Sequence, residues 1–331
     1  MRTRTTLAGI AATASLAAAA PARAADEVVA TVAKPTSVSA ARGHAVWSAW
    51  DPAVDGYRLM HYDRTGRILP VQMPPNRVPF DADVGKDPHG GTMAVFSRCD
   101  RPPISTWQLN GRRGCDLYAT RLGSGGGRGQ VKLRDASSPG GDEYWPAVWN
   151  GRLAFTRTYR ARGHRDRRYV YWRTLRGHGH SHRLRRGPAG GVPEQLDMRG
   201  RKVAYLWTFE YGGQVRVAGT RGGGRAVVRV PGSGAAFRDL LAQGPTLGGG
   251  SVHWAVASTD PVVSEIRRTD LGDRDQERAI TRIAGTGGLA TRGFSFDRGV
   301  AWYVRAVDDH TFEIHRVTGL RYEPAPPLDV N

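Results

Sequence analysis

Long apolar runs are missing from the chain after residue 25, where no segment approaches the ~20 residues that a helix needs to span a bilayer. Sustained helical periodicity with caps is missing too, which excludes a helical bundle. Lysine is scarce, and almost all of the 48 basic residues are arginine. Cysteine is limited to Cys99 and Cys115, which are too few for a tetrahedral metal site made of cysteine alone.

What the chain does have is glycine and positive charge. Its 331 residues include 43 Gly and 20 Pro, so turns interrupt it often, and 40% of its residues are hydrophobic, enough to bury a core. The 48 basic residues exceed the 30 acidic ones, giving a formal net charge of +18. This charge attracts polyanions and opposes self-association, but it does not identify a partner.

Residues 1–24 have the pattern of a secretory signal peptide. Arg2 and Arg4 form the basic part, residues 7–20 the apolar part, and residues 22–24 a small-x-small cleavage site. An uncleaved anchor is the alternative. We therefore expect residues 25–331 to be a single exported domain, in the periplasm, the cell envelope or outside the cell. In such a compartment, Cys99 and Cys115 are expected to form a disulfide worth ~3 kcal/mol.

A pattern of about fifty residues occurs six times. Each copy has a Gly turn, two to four mostly small or apolar residues and then an aromatic one. The six aromatic residues are Trp47, Phe96, Phe155, Tyr205, Trp254 and Trp302. Runs with period-two alternation follow each copy, which predicts strands.

Three or four strands per unit, repeated six times, predict an all-β, six-bladed β-propeller. The aromatic residue is then expected to pack one blade on the next, and Val28–Val32 is a candidate strand for closing the ring. A seven-bladed ring and a pair of two-sheet sandwiches are the alternatives.

Residues 142–155 resemble the repeat motif of TolB-like, or WD40-like, β-propellers. Pro146, Trp149, Gly151 and Phe155 match that motif, while Asn150 stands where the motif has Asp. The other repeats keep less of it. The resemblance implies an exported propeller that binds a partner, and it carries over no catalytic residue.

Asp81, Asp83 and Asp87 lie around a Gly turn. Closely spaced carboxylates suit Ca²⁺, although Gly85 replaces an oxygen ligand of the EF-hand pattern. The two interpretations are a calcium site and a polar turn, in which the carboxylates hold loop amides.

The third repeat carries the main run of positive charge, interleaved with aromatic residues. Guanidinium groups and aromatic faces together can hold phosphate, carboxylate or sugar, so this run is a candidate polyanion or ligand patch. A solvated edge is the alternative interpretation. The patch consists of Arg160, Arg165, Arg167, Arg168, Tyr169, Tyr171 and Trp172.

Motifs for catalysis are missing: there is no G-x-S-x-G, no Asp-box repeat and no diagnostic pair of carboxylates. Asp142, Glu143, Asp260 and Asp297 could still meet near the axis. We therefore expect a non-catalytic scaffold that binds a protein or a cell-envelope polymer, with nucleic acid the weaker partner. A propeller hydrolase or lyase acting on polysaccharide and a polyanion-binding module are the alternatives.

Overall fold

The protein is an all-β ring in a computed structural model. This model describes residues 25–101, 114–123, 125–127, 129–159, 167–177, 179–184, 191–209, 213–230, 240–259, 262–272, 277–283, 289–320 and 323–324. Within these ranges there are 26 strands and one 3₁₀-helix, Pro52–Val54. No helix in this part of the chain is both long and apolar enough to cross a membrane.

The strands form six sheets of four or five strands each. The first strand is β1 (Ala25–Val32), and blade one follows with β2 (Val38–Ala41), β3 (His44–Asp51), β4 (Gly56–Tyr62) and β5 (Ile68–Pro70). Blade two has β6 (Ala82–Lys86), β7 (Thr92–Arg98), β8 (Asp116–Gly123), β9 (Gly126–Gly127) and β10 (Val131–Lys132). Blade three has β11 (Gly141–Trp149), β12 (Arg152–Tyr159), β13 (Arg167–Thr174) and β14 (His182–Arg183).

Blades four to six repeat this antiparallel order. Blade four has β15 (Val192–Arg199), β16 (Lys202–Thr208), β17 (Gly213–Gly219) and β18 (Gly224–Val230). Blade five has β19 (Leu240–Leu247), β20 (Ser251–Thr259), β21 (Val262–Asp270) and β22 (Glu277–Ile283). Blade six has β23 (Leu289–Asp297), β24 (Val300–Ala306) and β25 (Phe312–Thr318), and the last strand, β26 (Glu323–Pro324), pairs with β22 of blade five.

The ring is closed by the first strand of the chain. β1 pairs antiparallel with β25 and becomes the outermost strand of blade six, as the position of Val28–Val32 predicted. The first strands of the blades contact one another in a circle around the axis: β2, β6, β11, β15, β19, β23 and back to β2. The prediction of six blades is therefore confirmed.

Hydrophobic contact between blades forms the core. Six clusters of buried side chains each join two neighbouring blades, so every seam of the ring has one. The repeated aromatic residue packs back on the preceding blade, as Phe96 does on Val46 and Leu59 of blade one. A twisted sheet of four strands cannot bury both of its faces alone, and stacking in a ring buries them.

The sixth aromatic residue was assigned one position too early. Trp302 lies in the cluster that faces blade one, with Trp47, whereas Tyr303 packs back on Ala255 and Ile266 of blade five. Adjacent residues of a strand point to opposite faces, so a shift of one residue reverses the contact. Tyr303 is the true equivalent: it follows Gly299 by four residues, as the other aromatics follow their glycines by four or five, whereas Trp302 follows Gly299 by only three.

Cys99 and Cys115 form the predicted disulfide. Both sulfur-bearing residues are buried, in a small cluster with Val78. The bond joins the end of β7 to the residue before β8, so it fixes one end of this hairpin in blade two.

Candidate functional site

One position on the innermost strand of each blade lines the axis of the ring. It pairs across the blade with the residue immediately before the repeated aromatic, in all six blades. The residues at this position, which we call the axial position, are Ser39, Asp83, Ala147, Asp197, Thr246 and Ser295. Five of the six carry a polar side chain, and all five line one axial cavity.

Polar side chains at the axial position join each blade to the next. The Val148 amide donates to Oδ2 of Asp83 at 2.6 Å, and the Leu247 amide donates to Oδ2 of Asp197. The Ala40 amide likewise donates to Oγ of Ser295 at 2.9 Å. In each case, the N–H belongs to the residue that follows the axial position of the next blade. These carboxylates therefore hold the ring together as well as facing its channel.

The axial cavity is small, with a volume of about 50 Å³. A volume of this size holds roughly one or two water molecules. Besides the axial positions, it is lined by residues that lie two positions before them in the chain, including Asp81, Trp145 and Gln195. It is therefore a polar, water-sized space with carboxylates in its wall.

Both axial carboxyl groups are easier to protonate than an ordinary aspartate. Burial, then the nearby charge of Asp197, raises the pKa of Asp83 to about 8, outweighing the hydrogen bonds from Ser39 and from backbone amides. Burial also raises the pKa of Asp197 to about 6. Oδ1 of Asp83 accepts a hydrogen bond from the Ser39 hydroxyl at 2.6 Å. Burial therefore favours the neutral form of both carboxyl groups, and more strongly in Asp83 than in Asp197.

Unusual backbone geometry surrounds the cavity. Trp145 and Gln195 have φ of 51° and 47°, in the left-handed region that side chains with a Cβ rarely occupy, and Gly244 has φ of 33°. All three lie where the pairing of the inner strand with its neighbour shifts register, two residues before the axial position of their blade. Strain of this kind is often found at binding and catalytic sites.

The three predicted calcium ligands do not meet as one donor set. Asp81 and Asp83 line the axial cavity, but Asp87 follows the far end of β6, where it forms an ion pair with Arg121 at 2.9 Å. Oδ1 of Asp87 also accepts the amide N–H of His89, which is the polar-turn interpretation. In the described parts of the chain, no three His, Cys, Asp or Glu side chains form a group that could hold a metal ion.

The predicted arginine and aromatic patch is divided between two seams. Tyr171 packs in the cluster between blades two and three, and Trp172 packs in the cluster between blades three and four. The exposed Arg167 and the partly exposed Arg168 and Tyr169 start the same strand, β13, while Arg160 and Arg165 lie outside the described residues. A ligand role for the patch stays a prediction.

Asp197 was missed by the sequence analysis, although a spacing marks it. In five blades, the axial residue lies eight positions before the repeated aromatic, as Asp197 does before Tyr205. Of the acids named instead, Asp142 holds the backbone amides of Gly114 and Cys115, and Glu143 pairs with Arg157 at 2.6 Å. Asp260 lies outside the described residues, and Asp297 lies at the far end of β23.

No family model and no curated protein matches this chain. Among solved structures, it is similar to a gluconolactonase from Xanthomonas campestris (14% identity, TM-score 0.53), covering 90% of this chain and 89% of that one. A puromycin-hydrolysing peptidase from Mycobacterium tuberculosis gives 14% identity and TM-score 0.53, covering 90% of this chain but only 55% of that one. A sialidase from Trypanosoma rangeli gives 10% identity and TM-score 0.52, covering 86% and 54%. At these identities, the likeness shows the propeller fold alone.

The expectation of a non-catalytic scaffold is wrong. The propellers that this chain is similar to are described as enzymes: a gluconolactonase, a peptidase and sialidases. The axial channel is also polar and acidic, whereas a scaffold would need only a packed, uncharged one. The acidic channel was not predicted from the sequence because the two axial carboxylates are 114 positions apart in the chain.

Proposed function

We propose that this propeller is a hydrolase acting on a carbohydrate substrate, with its reactive groups in the axial channel. The observation that carries the proposal is the pair of carboxyl groups, Asp83 and Asp197, in the wall of one cavity and with different pKa values. Two acids whose surroundings separate their pKa values can serve as proton donor and proton acceptor in one reaction.

The roles follow from the pKa of each group. Asp197, the more acidic of the two, accepts a proton from a water molecule in the cavity as the water oxygen attacks the reacting carbon. The bond from that carbon to the leaving oxygen breaks, and Asp83 donates its proton to the leaving oxygen. One water is consumed, and proton exchange with solvent restores both groups. Since the cavity admits only water, the substrate binds over its mouth, beside Trp145 and Gln195.

We favour a carbohydrate substrate over a peptide because of the share of each similar enzyme's length that this chain matches. The chain spans about half of the peptidase, so the similarity does not reach the whole of that enzyme. It spans 89% of the gluconolactonase, so nearly the whole of that enzyme is matched by the propeller alone. This supports a glycosidic or lactone C–O bond as the target.

The test is a hydrolysis assay on the purified chain from residue 25 onward. A panel of aryl glycosides, sugar lactones and cell-wall polysaccharides is incubated with the wild type and with Asp83→Asn and Asp197→Asn, which retain an oxygen for the inter-blade hydrogen bonds. We expect turnover of at least one substrate and a loss of at least about 100-fold in each variant.

The control is Asp116→Asn, which removes a carboxylate paired with Lys132 at 2.6 Å on the outside of blade two. It is expected to keep wild-type activity. Turnover of no substrate in the panel, or full activity in folded Asp83→Asn and Asp197→Asn, would overturn the proposal.

Export and a relation to TolB-like propellers belong to the same proposal. A buried disulfide supports an oxidising compartment. The closing strand begins at Ala25, so cleavage after residue 24 would leave it whole. Comparing the N-terminus of protein secreted by the source cells with that of the full chain tests this. An N-terminus at Ala25 is expected, and retention of residues 1–24 would contradict it.

A further inference from the structure

A second cavity, of about 360 Å³, lies at the seam between blades six and one. It is at the opposite end of the inner strands from the axial mouth, because it is built on the β2–β3 and β23–β24 hairpins, which follow those strands. Its volume lies within the range of small-molecule sites, ~300–1,000 Å³. No residue of the axial cavity lines it.

Four guanidinium groups surround this cavity, from Arg42, Arg64, Arg298 and Arg316. Within the described part of the chain, Arg316 pairs with Glu27 at 3.3 Å, and no carboxylate pairs with the other three arginines. Asp297 adds one negative charge to the lining. Two positive charges around the cavity therefore stay uncompensated. The pKa of the adjacent His44 is lowered, first by burial of its ring and then by the charges of Arg64 and Arg42.

Contacts with the backbone hold Arg64 in place and join the two hairpins that carry Arg42 and Arg298. Nε of Arg64 donates to the carbonyl oxygen of Arg42 at 3.0 Å, and the Gly43 amide donates to Oδ2 of Asp297 at 3.0 Å, which joins the two hairpins. Arg42 and Arg298 occupy left-handed turn positions, with φ of 60° and 51°, where Gly or Asn is the ordinary choice. Fixed guanidinium groups lose little freedom on binding and favour the planar geometry of carboxylate and phosphate.

Aromatic side chains form the inner wall. Trp302 lies beneath the cavity, and its ring meets that of Tyr62 edge to face, with 5.1 Å between centroids. Trp302 is buried and supports the partly exposed ring of Tyr62, which offers a surface for the apolar side of a sugar ring, while the arginines at the rim reach the charged group of the sugar. We infer that this cavity is a binding site for an anionic sugar, one that carries a carboxylate or a phosphate, separate from the axial channel.

Binding is measured by isothermal titration calorimetry with the chain from residue 25 onward. The probes are glucuronate, glucose 6-phosphate, neutral glucose and inorganic phosphate, none of which has a bond for the proposed hydrolase to cleave. Failure here is therefore distinct from failure of the proposed function. We expect glucuronate or glucose 6-phosphate to bind at least about 10-fold more tightly than glucose or inorganic phosphate, and more weakly as salt is raised.

Arg64→Gln and Arg298→Gln are each expected to weaken that binding by at least about 10-fold. The matched control is Arg77→Gln, which removes the same charge from an exposed residue at another place and should leave binding unchanged. An equal loss of binding in all three variants would mean that binding depends only on the net charge of the protein, and it would overturn the proposed site. Absence of binding by both anionic sugars, or inorganic phosphate binding as tightly as glucose 6-phosphate, would overturn it as well.

Discussion

At the residue scale, the surroundings of the Asp83 carboxyl group have opposite effects on its ionisation. Its Oδ2 accepts the Val148 amide and so joins blades two and three, a contact that favours an ionised group. Its burial beside Asp197 favours the neutral form more strongly. The side chain therefore contributes a hydrogen bond to the ring and keeps a proton available at neutral pH.

This balance predicts how the stability depends on pH. Because the folded pKa of Asp83, about 8, lies above the value of 3.8 that it takes when exposed, the folded state holds more protons between these values. The contribution of Asp83 to stability is thus full below pH ~4 and is lost as pH rises through the folded pKa. The expected slope is at most about 1.4 kcal/mol per pH unit.

Asp83→Asn removes the titrating group and keeps a similar shape. Denaturant unfolding of both proteins between pH 4 and pH 9 should show the free energy of unfolding of the variant rising relative to that of the wild type as pH increases. A difference that is the same at every pH would mean that Asp83 titrates normally, and Asp116→Asn provides the control for a surface carboxylate.

At the scale of single elements, the inner strands approach each other closely where β6 meets β11. A Cβ on Gly85 would overlap the backbone carbonyl oxygen of Val148, which no side-chain rearrangement can relieve. The same two strands share the hydrogen bond from Val148 to Asp83. Glycine at this place is therefore required by the distance between blades two and three.

Gly85→Ala is expected to destabilise the protein by at least about 2 kcal/mol because the two blades must separate. Gly140→Ala is the matched control, since a Cβ there meets no atom within 4 Å and its φ is ordinary. Urea unfolding of the two variants measures the difference. Equal stability of the two variants would mean that the seam between blades two and three is looser than the structure has it.

The strands also show where sequence reasoning works and where it stops. Glycine turns and alternation predicted six units and the closing strand, because both signals are local in the chain. The choice between Trp302 and Tyr303 needed the partner blade, since both are aromatic and the distance from the turn glycine varies among the blades. Trp302 packs with Trp47 of blade one, and Tyr303 packs with Ala255 of blade five.

At the scale of the whole molecule, the candidate site exists only because the ring closes. Ser39, Asp83, Asp197, Thr246 and Ser295 come from five blades and meet in one cavity of about 50 Å³. No two of them are near each other in sequence, so no contiguous motif marks the site. The fold could be predicted from its repeat. The site depends on the register of each inner strand, and this register could not be predicted because the length of the repeat varies from blade to blade.

The most direct measurement is a pH titration, followed by NMR, of the protein labelled with ¹³C at the aspartate carboxyl carbons. We expect one carboxyl resonance that titrates near pH 8 and is lost in Asp83→Asn, and a second near pH 6 that is lost in Asp197→Asn. Asp197→Asn should also lower the pKa of Asp83, because the charge of Asp197 helps to raise it. Titration of every aspartate below about pH 5 would show that neither axial carboxyl group is shifted, and would overturn the proposed site.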